Sequence, residues 1–336
     1  MIISRTPVRI SFFGGGTDYP VWYREHGGAV LATSINHYAY ITCRHLPPFF
    51  DYSYVVAYSQ IEHARSIADI RHPIVRELLK HVNIKEGLAI HYNADLPART
   101  GLGSSSSFTV GLLNTLYGHK SKTVSQMQLA HEAIHIEQDL IGESVGSQDQ
   151  VSAAIGGFNR IQFGQDGDIS VTPLDVPRKR LEELRSHLLL VFTGFSRTAS
   201  DIAAEQIKLL QTRQNDLTYL GQLVDEAVDL LSSSRPLEDF GKLLHESWLV
   251  KRGLTGLVSN DRINQIYSEA LEGGAIGGKL LGAGGGGFLL LFVRPTDRER
   301  VVAKLSDLLF VPFEFENSGS TIIFSDHEGL YPEIPS

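Results

Sequence analysis

A single cysteine, Cys43, occurs in the 336 residues, so neither an intramolecular disulfide nor a thiolate zinc cluster can form. A reducing compartment is the expectation. Basic residues are also scarce relative to acidic ones: 30 Lys and Arg against 38 Asp and Glu leave a formal net charge of -8. Nucleic-acid binders rely on a basic footprint, so nucleic acid is not an expected partner. Long apolar runs are missing as well. The longest, Phe288 to Val293, falls far short of a membrane span, and Met1 to Thr6 runs into Pro7 and Arg9 without a signal-like apolar core. The reading is cytoplasmic, with no membrane partner. No internal repeat and no low-complexity tract is present, which argues against a solenoid or a linker protein.

What is present suits a globular body of two lobes, since 42% of residues are hydrophobic and only 20% charged. Strand patterns at Ala29–Cys43, Tyr54–Ser59 and Leu88–Asn93 alternate with helix patterns at Pro73–Val82, Ser104–Tyr117 and Ser125–Ile141. Pro73 marks a helix start, and Ile74, Val75, Leu78 and Leu79 then share a face. Phe158–Leu174 reads as a hairpin turning at Gly164, Asp166, Gly167 and Asp168. A second lobe is expected from about residue 185: a buried strand at His187–Thr193, then a long helix over Ala199–Leu231 whose stripe includes Ile202, Leu209, Leu210 and Leu217. Helices at Leu237–Lys251, Ile263–Leu271 and Asp297–Leu309 follow, with strands at Phe288–Val293 and Thr321–Phe324. The fold class expected is therefore α/β (α+β), divided at 1–185 and 186–336.

Glycine is over-used, at 32 of 336 residues against an average of roughly 7%, and it comes in blocks. The first block, Pro97 to Gly103 followed by Ser104–Ser107, feeds an apolar helix. Glycines let backbone amides approach an anion, and the unpaired first-turn amides and helix dipole favour its charge. A serine-rich loop with an N-cap would look the same, and the Gly-Lys-Ser/Thr ending of a Walker loop is absent. The second block, Gly277 to Gly287, precedes a buried strand and reads either as a tight turn or as a second loop closing on a ligand. The third, Gly14, Gly15, Gly16, Thr17 and Asp18, offers a carboxylate for sugar hydroxyls or an Asx turn. A fourth signal is His131, Glu132 and His135, which matches the His-Glu-x-x-His zinc-hydrolase pattern, although so short a match arises by chance, packing or solvent-facing histidines are the preferred reading, and the glycine loops have no role in such an enzyme.

In their order, these blocks resemble the GHMP small-molecule kinases over nearly the whole chain. Within that superfamily, Arg5–Pro20 looks most like the D-glycero-D-manno-heptose 7-phosphate kinases. The resemblance implies a ribosomal-protein-S5-like N-terminal domain, a ferredoxin-like C-terminal domain, and ATP with magnesium between them. It implies that Gly101, Leu102, Gly103, Ser104, Ser105 and Ser106 wrap the ATP phosphates, and that Ser105 and Glu137 hold magnesium. Asp149 takes the position of the catalytic aspartate, with Arg9 beside it. Gly15, Gly16, Thr17 and Asp18, together with Gly284 and Gly285, are assigned to the substrate. Galactokinases carry Gly-Glu-His before Thr-Asp where this chain has Gly14, Gly15 and Gly16, so galactose-specific contacts are not expected. The activity implied is ATP-dependent phosphorylation of the anomeric C1 hydroxyl of a heptose 7-phosphate, for nucleotide-heptose and surface-polysaccharide synthesis. A kinase for an unphosphorylated sugar such as fucose, or a silent sugar and ATP sensor, are the alternatives, and a homo-oligomer is left open. By chemistry alone, Arg44, His45, Arg99 and Lys279 are candidates for the substrate's 7-phosphate.

Overall fold

Strand β1 (Ile2–Phe13) is buried over almost its whole length, which places it inside a sheet rather than at an edge. The computed structural model, which describes residues 1–194, 199–209 and 212–326, pairs it with β2 (Gly28–His45) on one side. Between them lies the short helix α1 (Pro20–His26). β2 has 18 residues, long enough to take several partners along its other edge. The sheet on that side is built from β3 (Tyr54–Ala57), β4 (Ile61–Ala64), β5 (Leu88–Ala94), β6 (Phe158–Phe163) and β7 (Ile169–Pro173), of which β5 and β6 pair with β2 directly. β6 pairs with its first third and β5 with its last, β7 closes the predicted hairpin on β6, and β3 runs parallel to β5 with β4 outside it.

Helices α2 (Pro73–His81), α3 (Ser104–His119), α4 (Gln126–Ile134) and α5 (Gln148–Ile155) lie with this sheet. α3 is buried on every side between Ser106 and Tyr117, its serines and threonines included, because other elements enclose it. Gly111 lets it approach the sheet, since a Cβ there would stand 2.7 Å from the Thr6 hydroxyl. After α6 (Arg178–Ser186) the chain enters a second sheet, built from β8 (Leu188–Phe192), β9 (Ala275–Leu280), β10 (Phe288–Val293) and β11 (Leu309–Val311). Its spatial order is β11-β8-β10-β9, all antiparallel. Counted within the sheet this is 4-1-3-2, the ferredoxin-like order. Alternation divides its side chains between two cores: Leu188, Leu190, Phe288, Leu290 and Phe292 join the cluster shared with the first lobe, while Leu189, Val191, Leu289, Leu291 and Val293 join a smaller one behind.

The second lobe's helices are α7 (Ala199–Leu209), α8 (Gln214–Ser232), α9 (Glu238–Leu254), α10 (Asp261–Gly273) and α11 (Arg298–Lys304). The single helix expected over Ala199–Leu231 is thus two, and Leu210 lies outside the described residues. The helix expected to reach Leu309 stops at Lys304, because Leu309 opens β11. Gly277 and Gly278, expected in a loop, are in β9: a Cβ at either would collide with a backbone carbonyl, Gly241 O at 2.0 Å or Leu290 O at 2.3 Å. The second sheet begins at Leu188, and the chain leaves it again after Val311. β12 (Phe315–Glu316) and β13 (Thr321–Ser325) return to the first sheet, against β2 and β1 respectively.

Candidate active site

A cavity of about 820 Å³ opens where the two lobes meet. Its wall begins with the loop between β5 and α3. Gly103 caps α3 in the left-handed conformation, φ +75°, and Gly101 has φ +84°, backbone states that suit glycine. A Cβ on Gly101 would lie 2.4 Å from the Leu281 carbonyl oxygen, and one on Gly282 would lie 2.4 Å from the Gly101 Cα. Phe288 N donates to Thr100 O at 3.1 Å. The two glycine blocks therefore explain each other: one loop from each lobe packs backbone against backbone at the N-terminus of α3. Gly101, Gly103, Ser104, Ser105 and Ser106 all line the cavity there, the arrangement of an anion site.

Opposite stands an ion pair. Arg9, on β1, donates through Nε at 2.9 Å and Nη2 at 2.7 Å to the same oxygen, Oδ1 of Asp149. Its Nη1 donates to Gly101 O at 2.7 Å, and Leu102 O accepts from the Arg9 amide at 3.0 Å. Asp149 projects from the first turn of α5, and a Cβ on Gly103 would stand 3.3 Å from its Oδ2. The carboxylate is thus held by one oxygen with the other turned to the phosphate loop. Asp18 is buried and accepts from Gly16 N at 3.0 Å and Gln148 Nε2 at 2.9 Å. Burial pushes its pKa up, helped by the neighbouring Asp149. Two further buried polar atoms at this end, Ser11 Oγ and Gln148 Oε1, have no partner among the described residues. Unpaired buried acceptors beside a carboxylate fit a polyhydroxylated ligand. The other end of the cavity is aromatic: Tyr58, His72, Tyr92 and Phe108 line it, in mutual ring contact.

Comparison with known proteins converges on one family. The family profile described as GHMP kinases N terminal domain matches residues 70–157, and that described as GHMP kinases C terminal matches residues 227–309. A curated D-glycero-alpha-D-manno-heptose 7-phosphate kinase from Campylobacter jejuni is 30% identical over 316 residues, covering 90% of this chain and 93% of its own. The chain belongs to the GHMP kinases. A solved GHMP kinase neighbour, titled a D-glycero-D-manno-heptose 1-phosphate kinase from Bacteroides thetaiotaomicron, superposes with TM-score 0.79 at 26% identity, covering 97% of this chain and 100% of that one. The Arabidopsis thaliana bifunctional fucokinase/GDP-fucose pyrophosphorylase is 26% identical over 88% of this chain, which spans 30% of the plant enzyme. GHMP sugar kinases are phosphotransferases acting on hydroxyl groups, and this chain is an enzyme of that class.

For this GHMP kinase the structure gathers Arg9, Asp149, Asp18, Gly15, Gly16 and the phosphate-loop residues around one cavity. Other sequence assignments move. Leu102 contributes its carbonyl to Arg9 and its side chain to the core. Thr17 is buried, its hydroxyl within donating distance of Gly14 O and Ala29 O and accepting from Ala29 N, so it holds the glycine turn and is absent from the cavity wall. Gly284 and Gly285 pack on Val258, and it is Gly282 and Ala283 that reach the cavity. Ser105 is exposed toward the cavity, whereas the serine brought to Glu137 is Ser106, whose Oγ donates at 2.9 Å. Glu137 is completely buried and also accepts from Thr109 and Gln150, and burial pushes it up to about 7. The Ser105–Glu137 magnesium pair therefore does not fit as expected, because the carboxylate faces protein donors and lies off the cavity wall. Among the described residues no three His, Cys, Asp or Glu side chains converge to hold a metal ion. Glu132 is likewise taken, by Tyr117, Gln128 and His81, and His135 pairs with Asp139, so the zinc-hydrolase pattern forms no centre. Of the four candidates for a second phosphate, Arg99 and Lys279 line the cavity, while Arg44 and His45 end β2 elsewhere. Lys251, Gln148 and Ser11 also line it and were not singled out from sequence.

Proposed function

We propose that this GHMP kinase transfers the γ-phosphoryl group of ATP to the anomeric C1 hydroxyl of D-glycero-D-manno-heptose 7-phosphate, giving the 1,7-bisphosphate. One observation carries the transfer chemistry: the Arg9–Asp149 pair faces the amide-rich start of α3 with Asp18 beside it, all on one cavity. The sugar is argued from the relative in Campylobacter jejuni and from the Arg5–Pro20 segment. In this reading the amides of Gly101–Ser106 hold the nucleotide phosphates and the aromatic end takes the flat base. Asp18, Ser11 and Gln148 bind sugar hydroxyls. Asp149 Oδ2 accepts the proton of the attacking hydroxyl, while Arg9 fixes Oδ1 and spans to the phosphate loop through Gly101. An anomeric hydroxyl is more acidic than an ordinary alcohol, so a carboxylate suffices as base. Magnesium would enter with the nucleotide and supply charge neutralisation there, next to Ser104–Ser106.

No helix among the described residues is long and apolar enough to cross a membrane, and a cytoplasmic sugar-nucleotide pathway is the setting proposed. The test is ATP consumption with magnesium over a panel of sugars and sugar phosphates, with the site of phosphorylation read by phosphorus NMR. Selective formation of heptose 1,7-bisphosphate is expected. Turnover only of a free hexose or fucose would favour the second reading, a 1-kinase for an unphosphorylated sugar, which the plant fucokinase relative suggests. Nucleotide binding without turnover of any sugar would leave a sensor.

A further inference from the structure

The last turn of α9 carries Lys251 and Arg252, where cations suit the helix dipole and would ordinarily face solvent. One of them turns inward. Lys251 is 7% exposed, lines the cavity, and donates Nζ to the carbonyl of Gly282. Gly282 is the residue packed on Gly101, whose carbonyl is held by Arg9. Two cations, one from each lobe, thus grip the two glycines at which the loops touch. A second buried lysine, Lys279 on β9, reaches across the lobes to Phe12 O on β1 at 2.7 Å.

The charges around this seam do not cancel. Arg9 is matched by Asp149. Among the described residues neither lysine has a carboxylate oxygen within 4.0 Å, and each ammonium, with three donors, spends one on a carbonyl. Burying an unpaired cation is costly. Burial, then Lys251 and Arg9, hold Lys279 well below the usual lysine range against the pull of Asp18, so its charge is the more strongly disfavoured of the two. Lys251 is lowered only to about 8, by burial and then by Arg9, with Asp18 and Asp149 opposing. It keeps its proton at neutral pH. The facing groups are Arg9 from β1, Asp18 from the turn after β1, Asp149 from α5 and Lys279 from β9; α8 meets α9 through Tyr219 and Glu246, at an exposed bond away from the cavity.

We propose that Lys251 is a further catalytic residue of this kinase, contacting the phosphoryl group in flight at the seam between the two glycine loops. This rests on the reading that the cavity transfers phosphoryl groups from ATP. In the step, the acceptor oxygen forms its bond to the γ-phosphorus and the bond from that phosphorus to the bridging oxygen breaks. The electron pair leaves with ADP, and the hydroxyl proton passes to Asp149. Charge shifts onto the bridging oxygen as this happens, and a desolvated ammonium already in place offsets it without reorganisation.

The test compares Lys251→Met and Lys251→Arg with the native enzyme in two reactions: magnesium-dependent phosphorylation of heptose 7-phosphate, and slow ATP hydrolysis with no sugar. Thermal melting and titration with a non-hydrolysable ATP analogue accompany both. For Lys251→Met, kcat is expected to fall by about 100-fold, with KM for ATP and analogue affinity within about threefold of native. Lys251→Arg is expected to recover a tenth or more of native kcat. It should also move the alkaline limb of the kcat/KM profile, which reads the groups of the free enzyme and is expected near pH 8 for native Lys251, upward by at least one pH unit, because a guanidinium keeps its charge. A merely structural lysine would leave that limb in place. A folded, nucleotide-binding Lys251→Met that keeps kcat within threefold overturns the inference, as does an unmoved limb in Lys251→Arg. If the native enzyme ignores heptose 7-phosphate yet its ATP hydrolysis shows this lysine dependence, the acceptor assignment fails and the role of Lys251 stands.

Discussion

Asp149 receives both of its bonds from Arg9 on one oxygen, and that asymmetry makes a conservative replacement informative. Asp149→Asn keeps an oxygen for Arg9 and substitutes an amide that cannot take a proton. Turnover is expected to drop by about 10³-fold with ATP affinity within threefold, measured by steady-state kinetics and calorimetric titration; turnover near native would remove Asp149 as the base. Glu137 supports a second prediction, on stability. Its carboxyl is pushed by burial from 4.5 up to about 7, so between those pH values the folded protein keeps a proton that the unfolded chain has released. Stability from this group is therefore lost as pH rises through that window, by roughly 3 kcal/mol at most. Glu137→Gln has no proton to lose, and its melting temperature relative to native should climb from pH 5 to pH 8; a constant difference would contradict the assignment. Asp149, Arg9 and Asp18 could be named from the sequence because the Gly146–Gln150 and Arg5–Pro20 segments resemble those of the GHMP kinases, and the structure places all three on one cavity. Lys251 and Gln148 could not be so named. A lysine in an amphipathic helix and a glutamine beside the catalytic position carry no local mark, and only the approach of the second lobe buries them.

Pro73 announces α2 and the Gly103–Ser104 junction announces α3, and in both the structure begins the helix at the residue expected. Local chemistry sets those starts, so a sequence can reveal them. The turn that positions Glu137 is different. The helix expected over Ser125–Ile141 ends as α4 at Ile134 and continues as a π-helix over His135–Leu140. The wider turn buries both Ile136 and Glu137 against α3 and α5, and the apolar pattern of the segment gives no sign of it. β9 was missed for the opposite reason: Gly277 and Gly278 look like a loop but are there because α9 and β10 leave no room for side chains. Contact between the glycine loops yields a prediction at this scale. In Gly101→Ala the new methyl meets a backbone oxygen at 2.4 Å with φ at +84°, so a loss of about 2 kcal/mol or more is expected, together with most of the activity. Gly142→Ala, at φ +76° with nothing within 4 Å, is expected to lose only about 1 kcal/mol and to keep its turnover. Denaturant melts and kinetics on the pair check this, and equal losses would mean that backbone strain alone, without loop contact, sets the cost.

For the molecule as a whole, composition and the order of motifs gave two lobes of mixed helix and sheet, and the structure has them. What local pattern could not convey is that the chain comes home. The strand at Thr321–Ser325 was visible, but its partner, β1, lies more than three hundred residues earlier, and long-range pairing leaves no periodic trace. That return also seats Ser320, whose hydroxyl meets Thr6 at 2.8 Å and Asn114 at 3.0 Å and whose amide donates to Ala153 O at 2.9 Å. One residue thereby ties β1, α3 and the end of α5 together. Deleting residues 312–336 should expose β1 as an edge and lower the melting temperature by about 10 °C or cause aggregation, read by calorimetry and light scattering; a truncated protein that melts within 2 °C of native would show the strap to be dispensable. The same pairing fixes how the molecule bears load. Ile2 lies opposite Ser325 in an antiparallel register, so both ends of the described chain leave the sheet at the same corner. A pull applied to these two residues peels their strands apart one rung at a time instead of shearing every rung together. Under tension this kinase should open first at that corner and at low force, with the lobes and the cavity between them unloaded until β13 has come away.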